Sequence, residues 1–280
     1  MYNIFYRDNH LGTRMSGPKK VIENLIRTFE DFDVSFAINT EKYDRTIFLH
    51  WDDYHYPKYQ KLNNKKNLLV GPQAWPFDPV FQKLDEYKSI LAPSWWVDYK
   101  LRRHFHRNEV SIWPVGIYPP NISGTPSIDV LIYYKNRPIE DYQYMVGLLE
   151  RRRLTSISLQ YGSYSQEDFS NALSTVKSCV IIDNTESQGI AIQEMMACGK
   201  PLFVWDQTIW DHMGSEYSVP ASSVPYWSKE CGQLVSKKDL LETSLDTFIS
   251  CLNDYDPISF YERTLSPQRS LEILNNIYGN

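Results

Sequence analysis

The sequence has few cysteines, no excess of positive charge and no long apolar run, and each shortage excludes a class of protein. Its four cysteines are far apart and form no CxxC pair, which argues against a zinc site and fits a reducing compartment. The net charge of −5 at pH 7 argues against a nucleic-acid partner, because such a protein needs a basic surface to displace the counterions of phosphates.

Membrane and secretion signals are also lacking. No apolar run approaches the length that crosses a bilayer, and the amino-terminal MYNIFYRDNH is too polar for the apolar core of a signal peptide. Two basic clusters, at 102–107 and 151–153, are typical of solvated helix ends and allow at most a peripheral contact with an anionic membrane. We therefore expect a cytoplasmic protein.

Strand-like apolar runs alternate with amphipathic helical stretches along the chain, which is the pattern of parallel β-α-β units. Proline and glycine interrupt this pattern at 113–126 (WPVGIYPPNISGTP), where neither a helix nor a central strand can continue. We place the domain linker there and predict an α/β protein of two Rossmann-like domains, at 1–120 and 121–280, with a cleft between them. NAD-dependent dehydrogenases are excluded, because Gly12 and Gly17 after the first strand are too far apart for GxGxxG.

The most informative segment is 183–201 (DNTESQGIAIQEMMACGKP), in which a strand runs into a polar loop and then a helix. The pattern predicts Glu186 in the loop and Glu194 inside a helix at 188–197. Backbone N–H groups near Gln188, Gly189 and Ile190 would then be the free donors at the amino end of that helix. Such donors form a ready site for a phosphate.

This segment resembles the nucleotide-sugar site of the family 4 glycosyltransferases and their GT-B relatives. Their pattern is similar to E-x-F-G-x-x-x-x-E-A-M-A-C-G-x-P, and here Glu186, Gly189, Glu194 and the ending MACGKP at 196–201 match it. The resemblance implies a GT-B fold and a hexosyl- or pentosyltransferase that moves sugar from a UDP- or GDP-linked donor to a glycan or another hydroxyl acceptor, in glycan biosynthesis. It also makes 1–120 the acceptor domain and 121–280 the donor domain, with the final helix packing back on the first.

The resemblance assigns roles to residues of the second domain. Glu194 should bind the ribose hydroxyls and Glu186 the hydroxyls of the donor sugar, since a carboxylate accepts two hydrogen bonds from neighbouring hydroxyls. The family supplies two basic residues to the diphosphate after the first strand of this domain, and Lys135 and Arg137 are the candidates here, although their spacing is shorter. The nucleotide base is expected near 161–169, with either Tyr161 or Tyr164 stacked on it or packed in the core.

The first domain offers further candidates. The loop of Gly12 to Gly17 should let the backbone approach the donor or acceptor closely, with Arg14 near a phosphate or in solvent. His50 follows a predicted strand, and the family often has a histidine near this point that contacts the donor sugar. An inverting enzyme would need Asp52 or Asp53 as base, whereas the resemblance favours retention of configuration.

No metal and no cofactor are predicted. The Asp-x-Asp triplet at 31–33 falls where a helix ends before the second strand and is interpreted as a surface turn. Fixed cations and helix amides would then stabilise the leaving diphosphate. Two alternatives remain open at this point: a nucleotide-sugar epimerase of GT-B fold, and a non-catalytic protein that binds nucleotides or glycans.

Overall fold

The computed structural model describes residues 1–6, 16–40, 45–50, 67–73, 88–105, 109–211 and 218–279, and of residues 50, 73, 104 and 105 only the backbone. The chain separates into two compact units: Met1–Gly116 together with Leu265–Asn280, and Ile117–Thr264. The first unit is therefore discontinuous in sequence, and the second is one continuous segment.

Helices and strands alternate through most of the described chain. The strands are β1 (Tyr2–Phe5), β2 (Phe36–Ile38), β3 (Arg45–His50), β4 (Leu68–Gln73), β5 (Ser89–Ala92), β6 (Val110–Ile112), β7 (Ile128–Lys135), β8 (Ser156–Gln160), β9 (Val176–Asp183), β10 (Leu202–Trp205), β11 (Ile209–Trp210), β12 (Val219–Pro220) and β13 (Gly232–Val235). The α-helices are α1 (Gly17–Asp31), α2 (Trp95–Phe105), α3 (Ile139–Arg151), α4 (Gln166–Thr175), α5 (Ile190–Ala197), α6 (Leu241–Ser250), α7 (Pro257–Thr264) and α8 (Pro267–Tyr278).

The first unit contains a parallel sheet in the order β2-β1-β3-β4-β5-β6. Ser16 caps α1 by accepting from the Lys19 amide at 3.3 Å, and Pro18 at the start of the helix needs no hydrogen-bond partner for its nitrogen. The helix buries Val21, Ile22 and Leu25, which share one face.

Helix α8 completes this unit. Ser266 caps it, and its Ser270 carbonyl accepts from the Trp113 indole at 3.1 Å while the Ser270 hydroxyl donates to the Pro114 carbonyl at 2.8 Å. Tyr278 at the far end donates to the Thr46 carbonyl at 2.9 Å. Helix α8 is therefore fixed to both β3 and the segment after β6.

The second unit contains a parallel sheet in the order β13-β10-β9-β7-β8. From β7 the chain goes to β8 on one side, and it then crosses back to β9 on the other side of β7. The strand order therefore reverses between β7 and β9, and in sheets of this kind ligands bind beyond the carboxyl ends of the strands at that point.

The pleat of the strands separates two faces of this sheet. One face packs against α3 and α6 in a core that includes Val130 and Ile132 of β7 and Trp205 of β10. Side chains alternate between faces along a strand, so Tyr133 and Lys135 of β7 belong to the opposite face. Tyr133 contacts Tyr164 there, which stacks on Phe169 of α4.

The predicted linker at 113–126 is only partly a linker. The side chains of Trp113, Val115 and Ile117 are each 0% exposed, whereas residues 121–127 are all exposed. These three apolar residues alternate along the chain and are packed in the interior, a pattern that the neighbouring prolines obscured in the sequence. The two compact units meet in sequence at Gly116 and Ile117.

Three elements of the second unit were not anticipated: the β11–β12 hairpin, β13 and α7. Helix α5 also begins at Ile190 with Gly189 as its cap, rather than at Gln188. In the part of the chain that the structure describes, no helix combines the length and the apolar character that a bilayer crossing requires.

Candidate functional site

Polar and charged side chains collect at the carboxyl edge of the second sheet, where β7 lies beside β9. Lys135, the last residue of β7, is paired in register with Asp183, the last residue of β9. Glu186 lies in the loop that follows β9, and Tyr161 directly follows β8. These four residues place a cation, two carboxylates and an aromatic ring at the point of strand-order reversal.

Lys135 is the central cation of this cluster. Its ammonium group donates to Glu186 Oε1, and each of the two side chains is 15% exposed. The ammonium also lies 4.3 Å from the ring centroid of Tyr161, within the range of a cation–π interaction. Burial lowers the pKa of Lys135, but the negative charges of Glu186 and Asp183 outweigh this effect and raise it above its ordinary value. Lys135 is therefore fully charged at neutral pH.

Asp183 is the residue that sequence reasoning missed. Its side chain is almost fully buried, and Oδ1 accepts from the Asn184 amide at 2.7 Å. Burial, followed by the charge of Glu186, raises the pKa of Asp183 well above its ordinary value, although Lys135 lowers it. The carboxylate at the end of an apolar strand was visible in the sequence, but its proximity to Lys135 follows only from the pairing of β7 with β9.

The loop after β9 leads into α5 through Gly189. This glycine has φ +79° and ψ 48°, a left-handed conformation that suits glycine. The first intrahelical bond runs from the Gln193 amide to the Gly189 carbonyl at 3.0 Å, so the amides of Ile190, Ala191 and Ile192 point out of the helix end. Gln188 supports the turn, because its carbonyl accepts from Gln193 Nε2 at 2.8 Å.

The other end of α5 explains the MACGKP ending. Gly199 has φ +69°, its amide donates to the Met196 carbonyl at 2.9 Å, and the Lys200 amide donates to the Met195 carbonyl at 3.0 Å. This is a Schellman motif, which requires the left-handed residue. Lys200 is buried and its ammonium donates to the Val176 carbonyl at 2.8 Å. This lysine therefore stabilises the fold and is not placed to bind a ligand.

Glu194 lies on α5 and is 5% exposed. Its charge acts on Tyr164, whose pKa rises to about 12, mainly through burial. The Tyr164 ring stacks on Phe169 with ring centroids 5.7 Å apart. Tyr164 is thus packed between α4 and the sheet, whereas Tyr161 is 45% exposed and presents its ring to solvent. Of the two tyrosines, Tyr161 has the geometry to stack on a base.

Arg137 lies close in sequence to Lys135 but has different contacts. Its guanidinium donates to Asp141 Oδ2 through Nη2 at 2.6 Å and Nε at 2.9 Å, and Nη1 donates to the carbonyls of Asp183 and Trp205, each at 3.3 Å. It also lies 4.7 Å from the Trp205 ring centroid, and its side chain is 6% exposed. These contacts tie together α3 and the ends of β9 and β10. They do not favour Arg137 as a phosphate ligand, and that role stays a prediction.

The predicted residues of the first domain are not brought into this cluster by any described contact. His50 ends β3, and only its backbone is described. Gly12, Arg14, Asp52 and Asp53 lie outside the described residues. Their roles stay predictions.

A metal site would need several grouped His, Cys, Asp or Glu side chains. Among the described residues, no three or more His, Cys, Asp and Glu side chains are grouped so that they could hold a metal ion. Asp31 and Asp33 flank the end of α1, where Asp33 has φ 51°.

The chain matches no protein-family model and no curated protein. It does match solved structures. The lipopolysaccharide outer core galactosyltransferase WaaB aligns with a TM-score of 0.60 at 14% identity, over 99% of this chain and 98% of WaaB. Sucrose-phosphate synthase from Thermosynechococcus elongatus aligns with a TM-score of 0.51 at 12% identity, over 95% of this chain and 80% of that chain.

A TarM mutant from S. aureus, solved with fondaparinux, α-GlcNAc-glycerol and UDP, aligns with a TM-score of 0.56 at 11% identity. The alignment covers 91% of this chain but only 58% of TarM. At these identities the likeness establishes the fold. The chain has the GT-B fold of two Rossmann-like units, and the solved structures that share it here are glycosyltransferases. Membership of family 4 stays a prediction.

Proposed function

We propose that this protein is a glycosyltransferase that moves a sugar from a nucleoside diphosphate to a hydroxyl group of a glycan acceptor. The observation that carries the proposal is the cluster of Lys135, Glu186 and the amino end of α5 at the strand-order reversal of a GT-B unit. A cation beside free backbone amides is the chemistry that a diphosphate requires.

Cleavage of the bond between sugar and phosphate leaves negative charge on the nucleoside diphosphate. Lys135 and the amides of Ile190 to Ile192 would stabilise that charge, because fixed donors in a partly buried site need no reorganisation during the reaction. Glu186 is proposed to hold hydroxyls of the donor sugar, Glu194 the ribose, and Tyr161 the base. In this mechanism configuration is retained.

UDP is the first nucleotide to test, because the TarM structure with the same fold contains UDP. Thermal unfolding with UDP, GDP, ADP and CDP would identify the nucleotide, since a ligand at a hundred times its dissociation constant adds roughly 2.7 kcal/mol of stability. Sugar transfer is then measured with the corresponding nucleotide sugars and a panel of glycans. Isomerisation of the donor without an acceptor would instead identify an epimerase, and binding without turnover a non-catalytic protein.

Glu194→Gln is expected to weaken UDP binding roughly tenfold, because one charged acceptor of the ribose hydroxyls is replaced by a neutral amide. The measurement is the dissociation constant for UDP by calorimetry. Glu150→Gln is the matched control, since Glu150 lies exposed at the end of α3 and should bind UDP as the wild type does. Unchanged affinity in a folded Glu194→Gln variant would contradict the ribose role.

Transfer is expected to persist in excess EDTA, because Lys135 and the helix amides supply the positive charge that a metal would otherwise provide. The measurement is the initial rate with and without the chelator. A loss of activity that Mn²⁺ restores would show that the leaving group depends on a metal.

A further inference from the structure

The carboxylate of Asp183 has an unusual hydrogen-bond environment. Asp183 is 1% exposed, and while Oδ1 accepts from the Asn184 amide, Oδ2 has no hydrogen-bond partner. A buried acceptor without a donor costs about 1–3 kcal/mol, and more when it is charged. The neighbour that acts most strongly on this carboxylate is Glu186, which is itself an acceptor when ionised.

A single proton on Asp183 removes the conflict between these two neighbouring acceptors. Two ionised carboxylates cannot donate to each other, whereas a protonated Asp183 has an O–H group that can donate to Glu186. Glu186 then accepts from Asp183 on one side and from Lys135 on the other. The direction of the pKa agrees, because burial and the charge of Glu186 both favour the protonated form of Asp183.

We propose that Asp183 is a positioning residue that holds a proton against Glu186, and that this proton sets the affinity of Lys135 for a diphosphate. The inference rests on the proposed function and adds a pH control to the same site. With the proton present, Lys135 and Glu186 sum to zero charge. Without it, the three groups carry a net negative charge, which repels an incoming diphosphate.

Binding and proton uptake are therefore coupled. A diphosphate at Lys135 brings negative charge close to the two carboxylates, so it favours their protonated state, and by reciprocity the proton favours the diphosphate. As pH rises through the raised pKa of Asp183, the proton is lost and the affinity falls.

The other charged and titratable groups around Asp183 do not replace it. Lys135 has a raised pKa, and burial raises the pKa of Tyr133 and, to about 12, that of Tyr164, so these groups keep their charge state near neutrality. Burial also raises the pKa of Asp206 after β10, but Oδ1 of Asp206 accepts from the Ser222 hydroxyl at 2.8 Å and the Ser223 amide at 2.7 Å, so its charged form has donors. The other described groups near this end of the sheet include Arg137 after β7, Tyr161 after β8, and Glu186 and Glu194 after β9.

The test measures the dissociation constant for UDP between about pH 7 and about pH 9, where the UDP phosphates stay ionised. For the wild type we expect the dissociation constant to rise with pH, by up to about tenfold per pH unit for one proton. For Asp183→Asn, the dissociation constant should not change with pH, because the amide group of the asparagine donates to Glu186 at every pH. Asp129→Asn is the matched control and should keep the wild-type slope, since Asp129 pairs with Lys177 at 2.7 Å and its pKa is lowered by that contact.

A second measurement needs no ligand. Because the folded protein binds this proton more tightly than the unfolded chain, the wild type should lose stability relative to Asp183→Asn as pH rises from about 4 towards the raised pKa. A stability difference that is constant with pH overturns the inference, and so does UDP binding whose pH dependence is absent in the wild type or kept in Asp183→Asn. Failure of all four nucleoside diphosphates to bind the wild type at any pH overturns the proposed function as well.

Discussion

Lys135→Met is expected to lower the transfer rate by roughly 10- to 150-fold and to destabilise the protein by about 3–5 kcal/mol. The rate falls because a charge-assisted contact to the diphosphate is worth about 1.5–3 kcal/mol. Stability falls because the substitution leaves Glu186 beside buried Asp183 without its cation, and breaking a buried pair costs more than the pair contributes.

The double variant Lys135→Met/Glu186→Gln separates these two effects. Removing both charges should restore most of the stability, since no unpaired charge is left, but it should not restore transfer. Urea unfolding and kcat/KM are the two measurements. Lys177→Met is the matched control: Lys177 is 47% exposed and Asp129 is 27% exposed, so the pair is screened by solvent and neither stability nor kcat/KM should change much. Recovery of activity in the double variant would mean that Lys135 serves only to neutralise Glu186.

Arg137→Ala is expected to cost about 3–5 kcal/mol of stability, because Asp141 loses its partner and the carbonyls of Asp183 and Trp205 lose a donor. Arg137→Lys keeps the charge but not the planar group that reaches all three, so it should recover only part of that loss. Urea unfolding of both variants measures this effect.

Nucleotide affinity then distinguishes a structural role for Arg137 from phosphate binding. If the guanidinium holds the strand ends, folded Arg137→Lys should bind UDP nearly as the wild type does at low temperature. A loss of tenfold or more in UDP affinity, with stability close to that of the wild type, would instead show that Arg137 binds the phosphate. Arg151→Lys is the control, because its pair with Glu242 is about half exposed and should matter for neither quantity.

The difference between Lys135 and Arg137 shows where prediction from sequence reached its limit. Both were predicted from the family resemblance at the end of this strand, and residues two apart in a strand share a face. Asn136 between them has φ 50°, however, and this turn directs Arg137 towards Trp205 on the other face of the sheet. The sequence shows that two cations lie at the end of β7, but not that the backbone turns between them.

The parts that the sequence predicted depend on local pattern. The α/β alternation, the loop position of Glu186 and the helical position of Glu194 follow from runs of residues that are contiguous in the chain. Strand β13 was missed because GQLV is short and begins with glycine, and the sequence does not show its pairing with β10 or the packing of Val235 in the core. Asp183 was missed for the same physical reason, since its importance arises from the pairing of distant strands.

The discontinuity of the first unit also bears on the order in which the protein folds during synthesis. Helix α8 leaves the ribosome after the whole of the second unit, although it supplies Ser270 and Tyr278 to the packing of the first. The second unit can therefore complete its core while the first still lacks a helix. Domains usually fold from the amino terminus onward, and here the chain order and the folding order are expected to be opposite.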